Sequence, residues 1–273
     1  METKIDPLKI DAGRYARAIE LWKEWNGRIN VISRRDTDSI FEHHILHSLA
    51  IARYLEIFYP SDGVLPPSGV RPSDSPHHPF GAVPPTRGNP GSPKICRFLG
   101  CPRGWHVPQG EHSAQTAPSV LDLGCGGGFP GIPLAMEWPE VKFTLCDSIG
   151  KKVLVAQSVA EGLGLANVKC VKARVEELPG QWDMVVSRAV APLETLYGWV
   201  RGKFRGSLVC LKGGDVNEEI SQLLKRFGKG PDAVRAEQIR AWRISDWLDD
   251  EYFAEKFVIE VGKSYLCSPF DEK

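Results

Sequence analysis

The chain has 273 residues, enough for one large domain or two small ones. Its 34 Lys and Arg balance 34 Asp and Glu, which excludes a globally basic nucleic-acid binder and leaves only a local patch for such contacts. No stretch of about 18 apolar residues occurs, the opening Met-Glu-Thr-Lys-Ile-Asp-Pro has no apolar leader, and the seven cysteines are an odd number; together these imply a soluble, cytoplasmic protein with reduced thiols and no membrane partner.

Residues from about 10 to 30 read as an amphipathic helix. Tyr15, Ala18, Ile19, Trp22 and Trp25 or Asn26 recur at three-and-four spacing, with Arg14, Arg17, Lys23 and Glu24 outside. Trp22 and Trp25 suit either a base-stacking platform or a core stripe, and the core stripe is the plainer reading. A second helix is expected from Thr37 to about Phe58, capped by Asp36 or Thr37. It carries His43, His44 and His47. The i, i+4 spacing suits zinc, yet no carboxylate or cysteine partner stands at a matching distance, so a polar helix edge packed on the main domain is the reading adopted.

From Tyr59-Pro60 to Pro118 the chain is dense in Pro, Gly and Ser without apolar periodicity, and it reads as a disordered insertion over 61–117. Within it, Cys96, Cys101, His106 and His112 have zinc-type donors but a shorter gap than a finger requires, and no metal is assigned. The division expected is therefore a helical N-terminal extension, 1–60, the insertion, and a nucleotide-binding domain, 118–273.

That domain opens with Ser119-Val-Leu-Asp-Leu-Gly-Cys-Gly-Gly-Gly-Phe-Pro-Gly131, the grammar of a buried strand, a tight glycine turn and a helix start. Gly126-x-Gly128-x-x-Gly131 fits the dinucleotide fingerprint, but such a match is weak alone. Asp122, two residues before Gly124, is more telling, because a carboxylate there suits a cationic methionyl group and would repel a pyrophosphate. Asp-x-Gly-x-Gly-x-Gly resembles the first motif of class I S-adenosylmethionine-dependent methyltransferases.

Regular alternation follows. A helix is expected from Ile132 to Glu137, and a strand from Val141 to Asp147. Ser148 can cap a helix from Lys151 to Leu163. Val168 to Val171 is a third strand, followed by the short Arg174–Leu178 segment. Trp182 to Ser187 is a fourth, then a helix from about Leu193 to Val200. Ser207 to Leu211 is a fifth strand, Val216 to Phe227 a helix, and 233–243 with 256–261 an antiparallel edge pair. The pattern implies a mostly parallel, doubly wound, Rossmann-like sheet with ligand over the strands' carboxyl ends.

Asp147 stands 23 residues after Gly124, near the offset at which an acid reaches a ribose diol. Glu176 follows the third strand, where it can meet an adenine edge. Arg188 follows the fourth, where it can bind a carboxylate or phosphate. Arg34, Arg35, Lys151, Lys152 and Lys212 are candidate phosphate contacts on RNA.

The run Leu121–Leu134, with Asp147-Ser148 and Lys151-Lys152, Arg174-Val-Glu-Glu177, Val186-Ser-Arg-Ala189, Leu211-Lys-Gly-Gly214, and upstream Trp25-Asn26, Asn30 and His44–Leu49, resembles the bacterial small-subunit ribosomal RNA guanine-N7 methyltransferases, RsmG or glucose-inhibited division protein B. The resemblance covers nearly all the chain outside about 61–117. It implies a class I methyltransferase fold, S-adenosylmethionine as cofactor, and 16S ribosomal RNA or the small subunit as partner; a monomer is expected, though the sequence does not decide it. Family cofactor positions carry over to Gly124, Phe129, Val175, Glu176 and Arg188; Asp122, Gly126, Gly128 and Asp147 complete the expected cofactor site. His47 stands where the resemblance leads one to expect an acid, and the insertion has no expected counterpart. Guanine N7 carries no proton, so no catalytic base is assigned. The rival readings are an NAD(P)-dependent oxidoreductase and a non-catalytic RNA-binding assembly factor.

Overall fold

Apolar residues alternating along short strands build a sheet whose two faces are both covered by helices. The computed structural model describes residues 10–59, 117–188 and 190–262. The insertion, apart from its last residue, lies outside the described residues, as do Cys96, Cys101, His106 and His112.

Five strands run parallel: β1 (Ser119–Leu123), β2 (Lys142–Asp147), β3 (Val168–Lys172), β4 (Trp182–Arg188) and β5 (Phe204–Gly213). Two more, β6 (Ile239–Arg243) and β7 (Lys256–Gly262), complete the order β3-β2-β1-β4-β5-β7-β6, with β7 antiparallel to both its neighbours. From β1 the chain winds outward to β2 and β3, then returns to place β4 on the other side. The carboxyl ends of β1 and β4 therefore flank the point where the winding reverses, where a crevice for ligand forms.

Side chains alternate between two cores. Met184 and Val186 of β4 face one while Val185 faces the other; Val209 and Leu211 of β5 join the first, Leu208 and Cys210 the second. The first core is filled by α1 (Ala12–Asn26), α2 (His47–Phe58), α3 (Gly131–Glu137) and α4 (Gly150–Gly162), through Tyr15, Trp22, Leu49, Ile132 and Val159. The second is filled by α5 (Leu193–Val200) and α6 (Val216–Phe227), through Leu196, Val200 and Leu223. The N-terminal helices thus share one continuous core with the sheet. Arg14 pairs with Glu137 at 2.9 Å, and the Tyr15 hydroxyl donates to the same carboxylate. At the far end, the hydroxyls of Tyr54 and Tyr59 donate to buried Glu260 of β7 at 2.6 and 2.8 Å.

The mostly parallel, doubly wound sheet expected from sequence is observed, with three local differences. The helix expected from Thr37 is divided. Asp36 closes a short 3₁₀ turn (Arg34–Asp36), a π-helical segment runs over Ile40–Leu46, and α2 begins at His47. The wider winding turns Ile40, His44 and Ile45 into the core. Ser148 does not cap α4: the helix starts at Gly150 with Ile149 at the N-cap position and no side-chain cap, while the Asp147 carboxylate takes the Ile149 N–H at 2.8 Å. The antiparallel edge pair expected over 233–243 and 256–261 forms as β6 and β7, but its first strand starts only at Ile239, after a short 3₁₀ turn over Ala236–Gln238. Cys125, Cys146, Cys170 and Cys210 are free thiols. Among the described residues no helix is long and apolar enough to cross a membrane.

Candidate functional site

β1 ends in a turn whose backbone favours glycine. Gly124, Gly126 and Gly128 take φ of 69°, 55° and 106°. The turn is stitched to β2 by the N–H groups of Gly124 and Cys125, which both donate to the Cys146 carbonyl at 2.8 and 3.1 Å. It then closes on itself as Gly128 and Phe129 donate to the Cys125 carbonyl at 2.8 and 2.9 Å. A Cβ built on Gly126 would meet nothing within 4 Å. The backbone there borders open space over the carboxyl ends, so a ligand can approach it closely.

Two carboxylates brace this turn. Asp122 is fully buried, and its Oδ2 accepts the Gly131 N–H at 2.7 Å, while Oδ1 has no partner among the described residues. Burial pushes the Asp122 carboxyl up to about 7, opposed by the Gly131 hydrogen bond and the Arg188 guanidinium. Gly131 is glycine for a steric reason: a Cβ there would stand 2.6 Å from Asp122 Oδ2. Asp147, at the end of β2, accepts the Gly126 N–H through Oδ2 at 3.1 Å and the Ile149 N–H through Oδ1. Each oxygen keeps a lone pair for a further donor.

The other flank of the turn belongs to the N-terminal helices. The Trp22 indole N–H donates to the Gly127 carbonyl at 2.8 Å, and its ring stacks on Phe129 with centroids 4.2 Å apart. Trp22 is wholly buried, so it serves the core and not a base platform. Asn26 accepts from the N–H groups of Val31 and Ile32 at 2.8 and 2.9 Å, setting Val31 against Gly127. Phe129, expected at the cofactor, turns its ring inward and is only 3 % exposed; its backbone alone lies on the turn. Arg188 lies over the opposite side of this cluster, its guanidinium carbon 4.8 Å from the Phe129 ring centroid, and its Nη2 is 3.1 Å from His44 Nδ1.

The remaining expected residues divide. Val175 is buried and Glu176 exposed on the 3₁₀ turn Val175–Glu177 beyond β3. Arg34, Arg35 and Lys151 are exposed and Lys152 half-buried. Lys212, expected on an RNA face, is buried. Its Nζ pairs with Glu219 at 2.8 Å and donates to the Ala191 carbonyl at 2.6 Å, so burial removes it from that face. Sequence reasoning missed Trp22 as the brace of the turn, His44 as the partner of Arg188, and two exposed apolar residues on the rim, Ile149 and Val190. The position of Ile149 just after the acid ending a strand was the available signal for the last. Apolar side chains left open beside a glycine turn suit the flat face of a nucleobase.

The arrangement therefore fits a nucleoside-type ligand: an open backbone edge, a carboxylate with spare acceptor capacity, apolar rim residues and a half-buried guanidinium. Comparisons with known proteins agree. A family model described as GidB, rRNA small subunit methyltransferase G, matches residues 107–233. The ribosomal RNA small subunit methyltransferase G of Christiangramia forsetii is 34% identical over 260 residues, covering 92% of this chain and 90% of its own length. That of Bacteroides fragilis is 34% identical over 256 residues, covering 91% of each, and that of Porphyromonas gingivalis is 38% identical over 209 residues, covering 73% of this chain and 69% of its own. On the strength of these similarities, the chain belongs to the rRNA small subunit methyltransferase G family.

Proposed function

We propose that this protein transfers a methyl group from S-adenosylmethionine to N7 of a guanine in 16S ribosomal RNA, as a cytoplasmic monomer acting on the RNA or the small subunit. The observation that carries the reading is the glycine turn held open at Gly126 by Asp147, in a chain of this family. Bound S-adenosylmethionine supplies a methyl group made electrophilic by its sulfonium. Guanine N7 presents an in-plane lone pair and no proton, so the protein needs no general base and its part is to align donor and acceptor in a preorganised polar site.

Within that scheme Gly124, Gly126, Gly128 and the Phe129 backbone would form the cradle, and Asp147 would accept from the ribose hydroxyls. Val175, Glu176, Ile149 and Val190 would border the adenine, and Arg188 would engage the anionic end of the cofactor. Asp122 acts through Gly131, keeping the turn in shape. Arg34, Arg35, Lys151 and Lys152 meet RNA phosphates. The N7 edge of A-form RNA faces a deep, narrow groove, so the target guanine lies in a loop or is splayed from its stack. The division into an N-terminal extension, 1–60, and a cofactor domain, 118–273, belongs to this proposal, with residues 10–59 of the extension supporting the cofactor turn.

The test is incubation with labelled methyl donor and either naked 16S RNA or assembled small subunits, followed by mapping of the modified base. Label at a guanine N7, lost in Asp147→Ala while RNA binding persists, is the expected result. Absence of transfer to both substrates, or stabilisation by NADH and none by S-adenosylhomocysteine, would overturn the proposal.

A further inference from the structure

The guanidinium of Arg188 is held in an unusual way. Among the described residues it makes one side-chain hydrogen bond, to His44, and one ring contact, to Phe129, and no carboxylate stands within ion-pair distance. A guanidinium only donates, so Nδ1 of His44 is the acceptor. The imidazole is then neutral with its proton on Nε2, a nitrogen that is buried and has no partner among the described residues. Burial and the adjacent Arg188 pull the His44 pKa down to about 3, while Arg188, lowered to about 10 by burial, stays charged at neutral pH. His44 is in turn held by the π-helical segment, within the aromatic group of Phe129 and Trp22: its ring centroid is 5.2 Å from that of Phe129.

We propose that His44 is a positioning residue for methyl transfer: its Nδ1 lone pair fixes the Arg188 guanidinium against Phe129 and so decides where the arginine's other N–H groups meet the methyl donor. This rests on the reading of Arg188 as a cofactor-binding residue. A carboxylate in place of His44 would satisfy the charge and compete with the ligand. A neutral acceptor orients the cation and leaves its charge for the cofactor.

The test uses the full chain. In the wild type, nitrogen-resolved spectra of His44 should show the Nε2–H tautomer, neutral down to about pH 5. A proton on Nδ1, or an imidazolium above about pH 6, overturns the proposal whether or not any variant folds. His44→Leu should raise the KM for S-adenosylmethionine roughly tenfold or more and lower kcat by less than about threefold, the cost of a lost hydrogen bond to a charged group that binds without taking part in the transfer. His44→Asn, which restores an acceptor, should recover most of that loss. In an Arg188→Lys background His44→Leu should change KM less than about twofold, because the partner it orients is already gone. Equal losses in both backgrounds would mean a merely structural histidine and sink the proposal. An Arg188→Lys enzyme with unchanged KM would instead remove the reading of Arg188 on which it rests.

Discussion

Both oxygens of Asp147 accept from backbone N–H groups, one in the glycine turn and one at the entrance to α4. Its removal therefore loosens the turn and takes away the proposed ribose contact together. Asp147→Ala is expected to weaken S-adenosylmethionine binding roughly tenfold or more in a calorimetric titration, in the range of lost hydrogen bonds to a charged group. Asp122 differs, since its carboxylate points into the fold and meets Gly131. Gly131→Ala would drive a methyl group against Asp122 Oδ2 and, at 2.9 Å, against Leu145 Cδ1. A loss of about 1–3 kcal/mol in urea denaturation is expected, and stability equal to wild type would show that the turn can yield.

At the scale of elements, the turn is held from both sides: β2 stitches one flank and α1 the other through Trp22. Trp22→Phe keeps a ring to stack on Phe129 but leaves the buried Gly127 carbonyl without its donor. The expected cost is about 1–3 kcal/mol, together with weaker cofactor binding; loss of stability with unchanged binding would mean that α1 supports the fold and not the site. The sequence made most of these elements legible. Glycines after an apolar run marked the end of β1, and the limits of α5 and α6 fell at the residues where periodicity placed them. Legibility stopped at contacts between distant segments. Trp22 and Gly127 are 105 residues apart and Arg188 and His44 are 144, and no periodicity encodes such pairings. The π-helical segment was equally hidden, because Ile40, His44 and Ile45 fit an ordinary helical stripe closely enough to pass as one.

For the molecule as a whole, the N-terminal helices bring two neutral histidines into the core, and this sets how stability responds to acid. His44 is lowered to about 3 and His47 well below its usual value, in each case chiefly by burial and next by Arg188. The unfolded chain would bind these protons near pH ~6.5 and the folded chain does not, so stability is lost as pH falls through that value toward the folded ones. Asp122 acts in the other sense, its raised carboxyl favouring the folded state at low pH and costing stability as pH rises toward about 7. Replacing His47, which lies edge-on to Tyr252 and Phe253, with leucine should therefore flatten the acid limb. Relative to wild type, His47→Leu is expected to gain about 1.4 kcal/mol for each pH unit below about 6, read from urea midpoints across that range. Parallel curves would show that His47 is protonated inside the fold.

The bond from Trp22 to Gly127 also gives the protein an internal optical gauge. An indole clasping the loop, with a cation beyond the neighbouring phenyl ring, should alter its emission whenever that loop tightens around a nucleoside. Subtracting the spectrum of Trp22→Phe from that of the wild type isolates this signal from the other seven tryptophans, and occupancy can then be followed in real time without a label.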